Sequence, residues 1–144
     1  MPSPASPRQQ PRTRFGRSGL DAGPLLAVLG GGLVGSAARA GIGHYLPAAS
    51  GAFPVATLVV NLTGSFLLGY YLARREQAST ARWSVQFWAI GMLGSFTTFS
   101  AFSFDVFHLL EAKRPLLAGG YVAASIVGGL VLALAGQRLG SSIR

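Results

Sequence analysis

Four apolar runs, at residues 25–45, 54–73, 83–104 and 115–136, contain one charged side chain between them, Arg39. Each is close to the roughly 20 residues a helix needs to cross a hydrocarbon core. A water-soluble fold would have to hide all four within 144 residues. Charged residues make up only 11% of the chain, against about a quarter in soluble proteins. The pattern predicts an all-α integral membrane protein with four spanning helices, at 25–45, 54–73, 83–110 and 115–136, in one domain over 24–138. A tail over 139–144 follows.

Residues 1–23 differ in kind. They hold four of the eight prolines and four arginines, with few large apolar side chains. That composition predicts a disordered basic cytoplasmic tail. A cleaved signal peptide fits less well, because no small-residue cleavage site follows the first apolar run. The net charge of +8 comes from residues that flank apolar segments, as in membrane proteins. No nucleic-acid recognition motif accompanies it. Cysteine is absent, which removes disulfides and thiolate metal sites.

The arginines and lysines also set an orientation. With four spans, the two ends and the loop between helices 2 and 3 share a side. That side holds Arg8, Arg12, Arg14, Arg17, Arg74, Arg75, Arg82, Arg138 and Arg144, against Lys113 and Arg114 on the other. Both ends are therefore expected in the cytoplasm, and the protein in the bacterial plasma membrane.

The third run contains Gly91-Met92-Leu93-Gly94-Ser95-Phe96-Thr97-Thr98-Phe99-Ser100-Ala101-Phe102. Gly91 and Gly94 should weaken the helix there, and Thr97, Thr98 and Ser100 can bond to the carbonyls a break would free. Irregular main chain at membrane depth survives only when buried in protein or lining water. Transporters place ion sites at such breaks, and freed carbonyls suit a small hard cation. Phe99 and Phe102 project from one side if helix resumes; they either pack or turn electropositive ring edges toward an anion.

Polar stripes run along the other helices. Thr57, Asn61 and Ser65 share a face of helix 2, and Tyr121, Ser125 and Gly129 share one of helix 4. Asn61 either ties helices together or lines a pathway. Gly31, Gly35, Arg39 and Gly43 share a face of helix 1, where small residues allow close approach. Arg39 either snorkels to the headgroups or acts on protein or water. Asp105 could cap, pair with Arg39 or a neighbour, or be solvated. Gly128 and Gly129 suggest tight packing of helix 4. Apart from Arg39 no ionisable group lies deep in a span, which counts against a proton-coupled exporter. His44 and His108 lack metal-ligand spacing, and no catalytic constellation is present.

Three segments together resemble a known family. Gly35-Ser36-Ala37-Ala38-Arg39 is similar to its G-A-x-x-R motif. Thr57-Leu58-Val59-Val60-Asn61-Leu62-Thr63-Gly64-Ser65-Phe66 is similar to its helix-2 signature, and Gly94-Ser95-Phe96-Thr97-Thr98-Phe99-Ser100-Ala101-Phe102 to its G-x-x-T-T-F-S-T-F break. The family is that of the CrcB/Fluc fluoride channels, and the resemblance covers about residues 25–138.

The resemblance implies a dimer of antiparallel subunits with two narrow fluoride pores. It implies that Phe99 and Phe102 contact the anion with ring edges, and that Asn61 orients them and donates to fluoride. Thr57 and Ser125 would line a polar track, and Arg39 would stand near the vestibule. Backbone carbonyls of Gly94 and Thr97 from both subunits would hold a structural sodium. The expected function is passive fluoride efflux, and the alternative a small four-helix proton-coupled cation or drug exporter. Ala101 and Asp105 depart from the family's usual threonine and glutamate. Family homodimers insert both ways up with balanced charge, so the bias of nine against two predicts insertion mainly one way. The expected partner is then an inverted, separately encoded homologue instead of a second copy.

Overall fold

The computed structural model describes residues 22–47, 51–77 and 82–143, and among them only helices and short connections occur. Helices α1 (Ala22–Tyr45) and α2 (Val55–Gln77) are continuous. The third span is assembled from α3 (Arg82–Val85), a π-helical stretch Gln86–Leu93, α4 (Gly94–Phe96) and α5 (Phe99–Glu111). Helix α6 (Pro115–Ser142) completes the chain. The four spans Ala22–Tyr45, Val55–Glu76, Trp83–Glu111 and Pro115–Ser142 are long and apolar enough to cross a membrane.

Three boundaries differ from the sequence expectation by more than two residues. Helix α2 runs to Gln77, against an expected end at 73. Helix α1 begins inside the tail expected over 1–23, of which residues 1–21 lie outside the described part. Helix α6 continues to Ser142, through most of the segment expected as a tail over 139–144. Its end is held by Arg74, whose Nη1 donates to the Ile143 carbonyl. A cation on the last free carbonyls suits the negative end of a helix dipole.

The turn between α5 and α6 is a Schellman closure. Lys113 N–H donates to Leu110 C=O and Arg114 N–H to Leu109 C=O, both at 2.9 Å. Lys113 takes the left-handed φ of 57° this motif needs. Pro115 then opens α6, where its missing N–H costs nothing.

The helices associate as two close pairs, α2 with α6 and α1 with the π-helical stretch. In both, glycine brings backbone against backbone. A Cβ on Gly31 would strike the Phe87 carbonyl and Met92 N–H, and one on Gly35 the Met92 carbonyl and Phe96 N–H. Likewise Gly69 faces the Ala133 carbonyl, Gly136 the Phe66 carbonyl and Gly140 the Tyr70 carbonyl. Lipid supplies no hydrophobic drive between helices, so small residues and van der Waals contact do this work. Gly128, singled out from sequence, meets only the Leu62 side chain, and the tighter contacts lie further along at Gly136 and Gly140.

A paired substitution tests this packing. Gly136→Val should cost about 3 kcal/mol or more, as overpacking against an unyielding main chain does. A Cβ at Gly119 meets nothing within 4 Å, so Gly119→Val should leave thermal stability in detergent near wild type.

Candidate functional site

The helix of the third span ends at Thr97 and Thr98, not at the glycines. Gly94 keeps helical angles (φ −65°, ψ −28°), whereas Thr97 (φ −74°, ψ 153°) and Thr98 (φ −148°, ψ 117°) are extended. β-Branched residues tolerate extended backbone better than helix. Gly91 serves packing instead: a Cβ there would lie 2.6 Å from the Val28 carbonyl of α1, whereas one on Gly94 would meet only the Ala89 carbonyl of its own span at 3.6 Å.

Side chains replace the hydrogen bonds lost at the break. Asn61 of α2 grips Thr98 twice, accepting from its N–H at 2.8 Å and donating Nδ2 to its carbonyl at 3.1 Å. Arg39 Nε of α1 donates to the Ser95 carbonyl at 3.1 Å. Thr98 Oγ1 accepts from Ala101 N–H at 3.1 Å and so caps α5. Thr97 Oγ1 turns back to the Leu93 carbonyl at 3.0 Å. Of the two sequence readings for Arg39, this bond matches the protein-facing one.

These diversions expose two carbonyls. In an unbroken helix Thr98 N–H would serve Gly94 C=O and Ala101 N–H would serve Thr97 C=O. Both donors go elsewhere, and no other backbone N–H among the described residues takes their place. Gly94 and Thr97 line an open cavity of about 420 Å³ with Asn61, Ser65, Thr98, Phe99, Phe102 and Ser125. Uncharged oxygens without donors suit a hard cation such as Na⁺.

The aromatic side chains form a chain through the same region. Phe99 and Phe102 lie 5.7 Å apart between centroids at 34°, and Phe102 and Tyr121 5.3 Å apart. Tyr121 is fully buried, edge-on to Phe53 at 5.6 Å. Its hydroxyl donates to Asp105 Oδ2 at 3.2 Å, with Thr57 and Ser125 beside it. Of the roles left open for Asp105, pairing with a neighbour is the one realised; Arg39 is engaged elsewhere. Phe99, by contrast, is 80% exposed.

Most of the predicted residues converge here. Asn61, Gly94, Thr97, Phe99, Phe102 and Ser125 line the larger cavity. Thr57 and Arg39 line a neighbouring one of about 240 Å³, with Thr98 and Ala101. The Ser125 hydroxyl is buried and makes no hydrogen bond of normal geometry. Sequence reasoning had Tyr121 only as one member of a sparse stripe; no signal marked it as the buried partner of Asp105 and Phe102.

The fold and site thus define a four-span membrane protein with an interrupted third helix and a polar, aromatic-lined cavity at the interruption. The profile of the CrcB-like protein family, described as Camphor Resistance (CrcB), matches residues 26–137, and this chain belongs to that family. It is 38% identical over 117 residues to the fluoride-specific ion channel FluC of Oceanobacillus iheyensis, covering 80% of this chain and 89% of the relative. It is 41% identical over 120 residues to a FluC of Thermus thermophilus, covering 83% and 94%. It is 42% identical over 135 residues to the fluoride-specific ion channel FluC 2 of Rubrobacter xylanophilus, covering 89% and 87%.

Proposed function

We propose that this chain is a subunit of a passive, fluoride-selective channel of the bacterial plasma membrane that lets fluoride leave the cytoplasm. The observation that carries this reading is the cavity where Asn61, Ser125, Phe99 and Phe102 meet, in a chain whose relatives are named fluoride-specific channels. Fluoride is small and strongly hydrated, so a pore must replace its water with donors and partial positive charge. One Nδ2 hydrogen of Asn61 is used by Thr98 and the other remains for an anion. The Ser125 hydroxyl, beside that of Tyr121, is a second donor at the cavity wall, and the phenylalanine edges supply weak positive potential without trapping the ion.

The same cavity supports a dimer. It is open on the side where Phe99 is 80% exposed, so one subunit forms half a pathway. An inverted partner would supply the other half. The Gly94 and Thr97 carbonyls would hold a sodium shared with that partner, a fixed positive charge beside the anion path.

The charge bias favours a separately encoded homologue as that partner. Expressed alone, the chain should place both termini in the cytoplasm in nearly every copy. Termini found equally on both sides, with fluoride flux, would replace the heterodimer by a homodimer.

Transport itself is tested in a fluoride-sensitive bacterial strain lacking its own exporter. This chain, with its partner where one is required, should restore growth in fluoride, and fluoride efflux from loaded cells should persist when a protonophore collapses the proton gradient. No rescue in fluoride, with proton-driven export of a cation or drug instead, would favour the exporter reading.

A further inference from the structure

We propose that Arg39 is a positioning residue that decides which carbonyls of the break are left for the cation. The inference rests on the sodium reading above and adds the device that selects its ligands. Five carbonyls, from Gly94 to Thr98, border the interruption. Ser95 and Thr98 are taken by side chains, Arg39 from α1 and Asn61 from α2. Phe96 is 5% exposed and does not line the larger cavity. Gly94 and Thr97 do line it, and accept from neither side chain.

The arrangement has a geometric cause. Successive helical carbonyls lie about 100° apart around the axis, so placing Ser95 against α1 leaves its neighbour Gly94 on another side. Gly31 and Gly35, two turns and one turn before Arg39, let the main chain of the third span come close enough for this bond. Gly35 sits against the Met92 carbonyl and Phe96 N–H. The face of α1 that carries Gly31, Gly35 and Arg39 therefore holds the main chain from Phe87 to Ser95. Nε stands in for the Phe99 N–H that an unbroken helix would send to Ser95.

The role lies in the Nε donor and not in the charge, and two isosteres separate these. Gln places an amide nitrogen the same number of bonds from Cα as Arg Nε, and Met places a methyl carbon there. Arg39→Gln keeps the donor and loses the charge, whereas Arg39→Met loses both. Two readouts are used on protein purified without sodium, in the assembly it forms in the membrane. One is the Na⁺ concentration giving half-maximal fluoride efflux from liposomes. The other is hydrogen–deuterium exchange of residues 94–102 in nanodiscs.

Arg39→Met is expected to need about tenfold more Na⁺, the loss of one hydrogen bond, while Arg39→Gln stays within about threefold of wild type. Exchange over 94–102 should rise in Arg39→Met and stay near wild type in Arg39→Gln. Equal behaviour of the two variants in both readouts, or wild-type behaviour of Arg39→Met, would overturn the proposal. If wild-type efflux shows no dependence on Na⁺, the sodium reading fails. Exchange then decides the clamp alone: faster in Met than in Gln upholds the Arg39–Ser95 anchor, and no difference overturns it.

Discussion

Asn61→Leu is expected to lower fluoride flux at least a hundredfold. Leucine keeps roughly the shape of asparagine and removes every polar atom from it. Both bonds to Thr98, at 2.8 and 3.1 Å, disappear together. Each leaves a backbone group without a partner at membrane depth, at about 1–3 kcal/mol apiece, or about 2–6 kcal/mol for the pair. The chain can recover that energy by letting Thr98 N–H return to the Gly94 carbonyl, which closes the break. Phe99 and Phe102, which follow Thr98 directly on α5, would turn with it. The loss should therefore exceed that of removing one anion donor, since a misplaced pathway alone costs about a hundredfold. Liposome efflux gives the flux. Exchange of the Thr98 amide distinguishes a closed break, with stronger protection, from simple local unfolding.

The second large effect is expected at the paired rings. Phe99→Ile and Phe102→Ile should each reduce flux about tenfold or more, through loss of the positive ring edge that an aliphatic side chain cannot supply. Their effects on stability should differ. Phe102 lies between Phe99 and Tyr121, at 5.7 and 5.3 Å, so its replacement removes two ring contacts of about 0.5–1.5 kcal/mol each. Phe99 is 80% exposed in the subunit and should cost the subunit fold little. Detergent melting curves beside efflux traces separate the two. Flux unchanged in both variants would make the rings packing elements only.

Much of this was legible in the chain, and the reason is the solvent. Lipid forbids irregular backbone and buried charge, so the exceptions stand out: Asn61, Arg39 and the hydroxyl run before Phe99. Their convergence could be anticipated because each is costly unless partnered. Partners were less legible. Arg39 bonds to a backbone carbonyl, and a main-chain acceptor carries no sequence signature. Asp105 finds Tyr121 sixteen residues on, across a turn whose geometry decides the register.

The break falls inside the expected run of residues 91–102, but at Thr97 and Thr98 and not at its glycines. Gly91 and Gly94 look like helix breakers on intrinsic propensity. Contact between α1 and the third span outweighs propensity there: Gly91 packs against Val28, and the helix continues past both glycines. The interruption falls where Asn61 and the Thr98 hydroxyl offer the backbone an alternative partner. The close contacts at Gly69, Gly136 and Gly140 had a faint signal in the four-residue spacing of the last two, masked by the general abundance of glycine in the chain.

The central claim, a passive and fluoride-selective pathway, is tested most directly by ion efflux from liposomes holding the purified assembly. With a potassium ionophore balancing charge and no proton gradient, fluoride should leave rapidly while chloride is retained. Equal release of fluoride and chloride, or fluoride movement only when a proton gradient is imposed, would contradict the account.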